Sequence, residues 1–490
     1  MAGPEGVKLQ KKRMLKPESS PFAWKRRWIA EEMEKDPSVE ELSRSYMDHL
    51  GICKTEREAV RYWQERLMSE GFVDLSEDED APLVPGDGFV LVNRKKEIVA
   101  GIVSGAEPSS GWNIIASHLD SPRLDLKPMP LDGDRDTGLG IFRTHYYGGI
   151  KKYQWVNIPL SLHGRVVKED GSVVDLCIGE EEGDPVFTIP DLEPHLSHKV
   201  QDHRRLEDGI RGEELLPLTA SGRLPNDDEE RTPVVLDVLS HLKKGYGIVE
   251  EDLISSELCL VPSWKPRSIG LDRGMIGAYG HDNRVSTYSA LEALSRLHKA
   301  GKGPERTSLV ICFDKEEIGS DGNTGAKSMF MELAVYRLMK ACGIGGSRRE
   351  LQRTLSSSFA ISADVKAAMD PLWKSVHDPQ NSARMGSGIT ITKYTGRGGK
   401  FEANDASAEM VSSLRRLFNR EKVVWQMQET GRVDEGGGNT VAKFIAARNM
   451  DVVDVGIPVL SMHSPFEVIS KSDLYMAVKG FSAFLSWFPA

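Results

Sequence analysis

Two kinds of hydrophobic pattern divide the chain into helices and strands. Ala59, Trp63 and Leu67 recur at four-residue spacing, which is typical of the buried face of a helix. Short continuous apolar runs bounded by polar or glycine-containing segments are instead typical of buried strands. The runs that predict strands are 89–92, 98–103, 112–117, 308–313, 359–363, 452–457 and 459–462, and later helices are predicted at 284–298, 329–339, 406–418 and 473–488.

This alternation of strands and helices predicts an α/β fold with helices on both faces of a mixed sheet. Residues 127–268 interrupt it, because they are rich in glycine, proline and short β runs, and they predict an inserted, mostly β domain. We therefore expect the α/β domain to consist of two parts, residues 1–126 and 269–490. Within the first part, residues 1–20 are basic but precede no apolar run, so we expect a mobile arm and not a signal peptide.

The composition of the chain argues against several classes of binding partner. The chain has 63 Lys and Arg residues against 73 Asp and Glu, a net charge of −10, which argues against nucleic acid or an anionic membrane as the main partner. No run approaches the roughly 20 apolar residues that a membrane span needs. The five cysteines are widely spaced without a Cys-x-x-Cys pair, which argues against a disulfide framework or a thiolate zinc site. A cytoplasmic location is therefore expected.

Acidic residues and histidines follow the predicted strands at five places. Because the carboxyl ends of strands in an α/β sheet gather at one edge, we expect these side chains to form a cluster. Imidazoles together with several carboxylates suit Zn²⁺, Mn²⁺ or Co²⁺. The five places are His118-Leu119-Asp120, His281-Asp282-Asn283, Glu316-Glu317, Asp364 and His463.

Spacing within two of these places suggests a division of roles. In extended chain, residues i and i+2 point the same way, so Asp120 can lie behind His118 and orient its imidazole. The adjacent acids Glu316 and Glu317 can likewise differ, one binding metal while the other stays free to carry a proton.

Five segments, in this order, resemble the motifs of one peptidase family. They are similar to those of the aspartyl aminopeptidase and vacuolar aminopeptidase I family of dinuclear zinc exopeptidases, and the fourth resembles a bacterial branch. The segments are SHLDSPRLDLKP, GHDNRVSTYSALEAL, DKEEIGSDGNTGA, SADVKAAMDP and MHSPFE.

The resemblance implies two divalent metal ions per subunit, with zinc expected and cobalt or manganese as alternatives. Two ions about 3.5–4 Å apart can hold a hydroxide, polarise a carbonyl and stabilise an oxyanion. Glu316 would be the general base, which takes the proton of the attacking water and gives it to the leaving amine, and Asp120 would orient His118. The implied ligands are His118 and Asp364 for one ion, Glu317 and His463 for the other, and Asp282 as the bridge.

Three further residues are candidates for substrate binding. His195, in IPDLEPHLSH, resembles a family histidine that reaches the active site of a neighbouring subunit, and an exposed surface histidine is the alternative. Gly437 and Gly438 lie in a glycine-rich turn that lets backbone approach a substrate; the turn lacks the arrangement of a phosphate-binding loop. The resemblance also implies a homododecamer built from dimers, with the inserted β domain at the dimer contacts.

These features predict a metalloaminopeptidase that removes neutral or apolar N-terminal residues from peptides. Relatives that favour acidic residues carry a histidine three positions after the strand-end aspartate, where this chain has Ala367, and a methyl group cannot pair with a carboxylate. Lys366 and Lys393 are nearby cations, so a preference for acidic N-terminal residues remains an alternative.

Two other functions remain open at this stage. A carboxypeptidase or amide deacylase would use the same kind of dinuclear centre, since that centre predicts hydrolysis better than it predicts which end of a substrate is cut. A noncatalytic assembly protein is disfavoured, because it would have no need of Glu316 beside a full ligand set.

Overall fold

The computed structural model describes residue 24 and residues 26–33, 36–76, 81–224, 226, 231–301 and 303–487. The predicted N-terminal arm, residues 1–20, lies outside the described residues. The helices are α1 (Ala30–Met33), α2 (Pro37–Ile52), α3 (Glu56–Ser69), α4 (Pro194–Ser197), α5 (Pro233–Tyr246), α6 (His281–Lys299), α7 (Phe330–Ala341), α8 (Arg348–Ser356), α9 (Ala408–Arg420), α10 (Ala442–Ala446) and α11 (Lys471–Leu485).

The strands form three sheets. They are β1 (Val73–Asp74), β2 (Gly88–Asn93), β3 (Glu97–Ile102), β4 (Asn113–His118), β5 (Arg123–Gly133), β6 (Leu139–Tyr147), β7 (Leu160–Val167), β8 (Val173–Ile178), β9 (Leu218–Ser221), β10 (Ser256–Pro262), β11 (Arg267–Ile269), β12 (Met275–Ala278), β13 (Ser308–Phe313), β14 (Phe359–Ala363), β15 (Lys366–Ala367), β16 (Ile389–Thr392), β17 (Trp425–Gln428), β18 (Asp451–Gly456), β19 (Pro458–Leu460) and β20 (Glu467–Ser470).

The main sheet has nine strands in the order β1-β2-β3-β13-β4-β14-β18-β16-β17. Its centre, β13-β4-β14-β18, is parallel, and β3 and β16 pair antiparallel with it on either side. Alternate residues of β4 face opposite cores: Ile115 packs with residues of α2, α3, α6, α9 and α11, and Ile114 with residues of α7, α8 and α10. The predicted α/β fold, with helices on both faces of a mixed sheet, is confirmed.

A second sheet of six antiparallel strands, in the order β8-β7-β10-β5-β6-β9, comes from the segment between Arg123 and Pro262. Its core includes Trp155, Leu162 and Leu260, all fully or almost fully buried. The prediction of a mostly β segment missed helix α5, which begins at Pro233 and packs against β5, β6 and β9. The boundaries at 127 and 268 stay a prediction.

The third sheet, in the order β11-β12-β20-β19-β15, has five short strands. Two of them, β12 and β19, lead directly into the segments that carry Asp282 and His463. This sheet therefore brings Asp282 and His463 to the carboxyl edge of the main sheet, where the other predicted site residues lie.

Helix α3 begins with a capping box in which Thr55 and Glu58 satisfy each other's backbone N–H groups. Among the helices of the described residues, none is both long enough and apolar enough to cross a membrane.

Candidate metal centre

The five strand ends predicted to meet do meet in the structure. Strands β13, β4 and β14 are parallel neighbours, so the residues that end or follow them lie side by side. The segments after β12 and β19 approach the same edge from the third sheet. One cavity of about 420 Å³ is lined by all the predicted ligands and the predicted base: His118, Asp282, Glu316, Glu317, Asp364 and His463.

His118 faces three carboxylates. Its Nε2 lies 3.4 Å from Oδ1 of Asp282, 3.6 Å from Oδ1 of Asp364 and 3.8 Å from Oε2 of Glu316. His118, Asp282 and Asp364 are buried, and each places one ligand atom within 4.8 Å of the other two. This group can hold one metal ion.

His463 faces a second pair of carboxylates. Its Nε2 lies 3.1 Å from Oδ2 of Asp282 and 3.3 Å from Oε2 of Glu317. Asp282 therefore presents one oxygen to His118 and the other to His463. A carboxylate in this position can bridge two ions. The peptide bond between Asp282 and Asn283 is cis.

The chemistry of the site fits cations. Two buried carboxylate oxygens of this cluster, Oδ1 of Asp282 and Oε1 of Glu317, have no hydrogen-bond partner among the described residues. An unpaired buried carboxylate oxygen is costly, and coordination to a cation removes that cost. The ligand set of nitrogen and oxygen atoms suits zinc and similar divalent ions.

The electrostatics of the site point the same way. Burial raises the pKa of Glu316 to about 8, with His118 opposing and Asp364 adding to the effect. Burial would lower the pKa of His463, but its contacts with Asp282 and Glu317 outweigh burial and raise it to about 11. Divalent ions bound to these carboxylates would take the place of protons.

Asp120 contacts His118 on the side away from the carboxylates and holds the turn that carries Glu316 and Glu317. Its Oδ1 lies 3.3 Å from Nδ1 of His118 and accepts a hydrogen bond from the backbone N–H of Glu316 at 3.1 Å. Its Oδ2 accepts from the N–H of Glu317 at 3.1 Å and from the hydroxyl of Tyr147 at 2.8 Å. One carboxylate thus orients the imidazole of His118 and holds the turn that carries both glutamates.

Three supporting groups were not predicted. Glu467 accepts hydrogen bonds from the N–H groups of Asp282 at 2.9 Å and His463 at 2.7 Å, and its place at the end of the MHSPFE segment was the available signal. Tyr147 and the carbonyl of Gly149, which accepts from Nδ1 of His463 at 2.8 Å, belong to the β-rich segment. No sequence signal marks these two, because they reach the site only through the packing of two sheets.

The substrate-binding candidates lie in different places. Gly437 and Gly438 line the cavity, together with Lys366, Ala367 and other residues. His195 is exposed in the short helix α4 and is not among the residues that line this cavity.

The fold and the site define a metal-dependent hydrolase of the α/β class. A family model described as the aminopeptidase I zinc metalloprotease family, M18, matches residues 49–485. The chain belongs to this family, and it is an aminopeptidase, a peptide hydrolase of the zinc metalloprotease type.

Individual relatives cover nearly the whole chain. The probable M18 family aminopeptidase 1 of Thermotoga maritima is 44% identical over 441 residues, which is 90% of this chain and 94% of the relative. A crystal structure of an M18 aminopeptidase from Thermotoga maritima matches with a TM-score of 0.88 at 41% identity, over 95% of this chain and 100% of that one. The Saccharomyces cerevisiae mApe1 dodecamer shares the fold at 23% identity, with a TM-score of 0.72 over 91% and 97% of the two chains. The family favours an aminopeptidase over the carboxypeptidase, deacylase and assembly protein that the sequence left open.

Proposed function

We propose that this aminopeptidase removes neutral or apolar N-terminal residues from peptides at two divalent metal ions, with Glu316 as the general base. The observation that carries the proposal is the position of Asp282 between two histidines, with one carboxylate oxygen toward His118 and the other toward His463. His118 and Asp364 would hold one ion and Glu317 and His463 the other. Zinc is the expected metal, with cobalt or manganese as alternatives.

The bound ions would polarise the scissile carbonyl and lower the pKa of a water molecule. Glu316 stands beside the first group, with its backbone N–H held by Asp120. Its carboxylate would accept the proton of the attacking water and deliver it to the leaving amine. The positive charge of bound ions would lower the raised pKa of Glu316 toward the range in which a carboxylate exchanges protons near neutral pH.

The cavity lining supports a preference for neutral or apolar residues. Lys366 lines the cavity, but its side chain is only 3% exposed, and its Nζ lies 3.8 Å from Oδ1 of the buried Asp454. Lys443 lies 3.8 Å from Oε1 of Glu402. Both lysines of the cavity therefore already face a carboxylate of the protein, which leaves little positive charge for an acidic substrate.

Apolar groups complete the lining of the cavity. Phe444, Met462 and Ala367 contribute to its wall. A neutral or apolar side chain would bury its surface against these groups without the cost of an unpaired charge.

The β-rich segment 127–268 supports self-association through dimers into a larger homo-oligomer, which we take to be a dodecamer. Support comes from the shared fold with the mApe1 dodecamer and from exposed apolar side chains such as Leu196, Val200 and Leu206 near His195. In such an assembly His195 would reach the cavity of a neighbouring subunit. Light scattering that gives a monomer of 54.3 kDa at micromolar concentration would contradict the assembly.

A cytoplasmic location is part of the same proposal. All five cysteines are free in the structure, which suits a reducing compartment. Fractionation that finds the protein outside the cytoplasm would refute this location.

A substrate panel tests the function directly. The zinc-loaded protein is assayed with peptides that begin with Leu, Met, Glu or Asp, and with the same peptides N-acetylated. We expect cleavage only of the free amino termini, with kcat/KM for Leu or Met at least tenfold above Glu or Asp. A kcat/KM for Glu or Asp peptides tenfold above that for Leu or Met would refute the substrate preference. Equal cleavage of the acetylated peptides would refute recognition of the free amino terminus.

Metal dependence is tested with the same panel. Chelation should abolish cleavage, and zinc, manganese or cobalt should restore it as the metal content returns to two ions per catalytic site. Full activity of chelated protein in which no metal is detected would refute the dinuclear centre.

A further inference from the structure

A second group of metal-ligating side chains lies where helix α3 meets the edge of the six-stranded sheet. Glu58 of α3, His163 of β7 and Cys177 of β8 each place one ligand atom within 4.8 Å of the other two. The adjacent cavity shares no lining residue with the cavity of the catalytic cluster. His163 and Cys177 are direct cross-strand partners, so their proximity follows from sheet register and not from a sequence motif.

Two of the three ligands are already oriented. Oε2 of Glu58 accepts the N–H groups of Lys54 at 2.8 Å and Thr55 at 2.9 Å, which leaves Oε1 to face Nδ1 of His163 at 2.8 Å. The other ring nitrogen of His163, Nε2, lies 3.2 Å from Oε1 of Glu180. Glu180 would continue to hold Nε2, while Nδ1, which now faces Glu58, would bind the ion beside Oε1; an imidazole held by a carboxylate on its other nitrogen is a common arrangement in zinc sites.

We propose that Glu58, His163 and Cys177 form a further metal site, selective for Zn²⁺, that ties helix α3 to the edge strand β8. Thiolate and imidazole ligands together favour zinc over magnesium or calcium. A water molecule from the cavity of about 430 Å³ would be the fourth ligand. Cys177 is exposed, so an ion can reach the site from solvent.

Binding of Zn²⁺ would leave the net charge of the cluster unchanged. The ion would take the place of the proton on Nδ1 of His163 and of the thiol proton of Cys177, so two protons leave as two positive charges enter. The net charge of the cluster is then unchanged, and no new unpaired charge is buried.

The arginines that line the same cavity do not oppose a cation as strongly as their number suggests. Arg57 pairs with Glu257, Arg165 pairs with Asp175 at 2.7 Å, and Arg61 lies 3.7 Å from the same Asp175. Each guanidinium therefore faces a carboxylate outside the cluster, with Asp175 shared by two of them, and Glu58 is left to face His163.

The test compares the metal content of wild type with that of Cys177→Ser. Protein treated with chelator is equilibrated with micromolar free Zn²⁺, freed of excess metal and analysed by mass spectrometry for zinc per subunit. The wild type should hold one equivalent more than Cys177→Ser. Cys342→Ser, which changes a partly exposed cysteine outside the cluster, should match the wild type.

Cobalt gives a spectroscopic measurement of the same site. Co²⁺ bound to the wild type should show a near-ultraviolet thiolate-to-cobalt absorption band, and Cys177→Ser should lack it. Peptidase activity of Cys177→Ser should stay within about twofold of wild type, since the residue lies outside the catalytic cavity. Equal zinc content in wild type and Cys177→Ser, or a cobalt spectrum without a thiolate band, would overturn the site.

Discussion

The hydroxyl of Tyr147 donates a 2.8 Å hydrogen bond to Oδ2 of Asp120, the carboxylate behind His118. Tyr147 ends β6 of the six-stranded sheet, whereas Asp120 follows β4 of the main sheet. Two residues after Tyr147, the carbonyl of Gly149 accepts a hydrogen bond from His463. One short segment of the β-rich part therefore positions both histidines of the catalytic cluster.

Tyr147→Phe should lower activity by weakening the hold on Asp120. Loss of such a supporting hydrogen bond typically costs about 10–100-fold in activity or metal affinity. We expect kcat to fall within this range while KM changes little, with zinc lost at lower chelator concentration than from the wild type. The ring stays in place, because the guanidinium of Arg123 lies over it at 4.5 Å.

The control for this variant is Tyr146→Phe, which removes the hydroxyl of an exposed tyrosine one position earlier on β6. Its kcat and zinc retention should equal those of the wild type. Equal loss of kcat in both variants would mean that the effect does not come from the contact with Asp120.

Glu316→Gln and Glu317→Gln should fail in different ways. The amide of Glu316→Gln cannot accept a proton from water, so kcat should fall by about 10²–10⁴-fold while both ions are retained. Glu317→Gln should instead weaken metal binding beside His463. Metal content by mass spectrometry and kcat at saturating zinc separate the two effects. The assignment is reversed if Glu316→Gln loses metal and Glu317→Gln keeps it.

Asp454→Asn should shift the substrate preference toward acidic residues. The substitution removes the carboxylate that faces Lys366, so its ammonium group becomes available to a substrate carboxylate in the same cavity. We expect the ratio of kcat/KM for Glu over Leu peptides to rise by about tenfold, which corresponds to about 1.4 kcal/mol. Removal of one partner of a buried ion pair should also lower the melting temperature.

The double variant Asp454→Asn with Lys366→Met serves as the control for substrate preference. It lacks the ammonium group as well, so the ratio should return to that of the wild type. A shift that persists in the double variant would show that Lys366 is not its source.

Glu97 should make stability depend on pH. Burial raises its pKa from 4.5 to about 9, with a hydrogen bond from Asn93 opposing and Asp314 adding to the effect. Because the folded state favours the protonated form, this contribution is fully present below pH 4.5 and is lost as pH rises through about 9. The melting temperature of the wild type should therefore fall relative to Glu97→Gln over this interval. A difference between the two proteins that stays constant with pH would contradict the raised pKa.

Much of the fold and of the metal centre can be predicted from the pattern of strands and from the residues at their ends. Local hydrophobic periodicity predicts which segments are strands, and a rule of α/β sheets places their carboxyl ends at one edge. These two rules together predict that His118, Asp282, Glu316 and Asp364 lie close to one another. The prediction missed helix α5, although Val234, Val238 and Leu242 recur at four-residue spacing and Pro233 and Gly247 are typical of the start and end of a helix.

What the tertiary structure alone decided are the contacts between segments far apart in the chain. The hydrogen bond from Tyr147 to Asp120 depends on how the six-stranded sheet packs against the main sheet, and the pairing of Lys366 with Asp454 joins β15 of the third sheet to β18 of the main sheet. Strand register similarly placed Cys177 beside His163. By itself the sequence determined the chemistry at each strand end, since that chemistry is local. The partners of those groups were decided only in the folded protein, because packing and register depend on the whole chain at once.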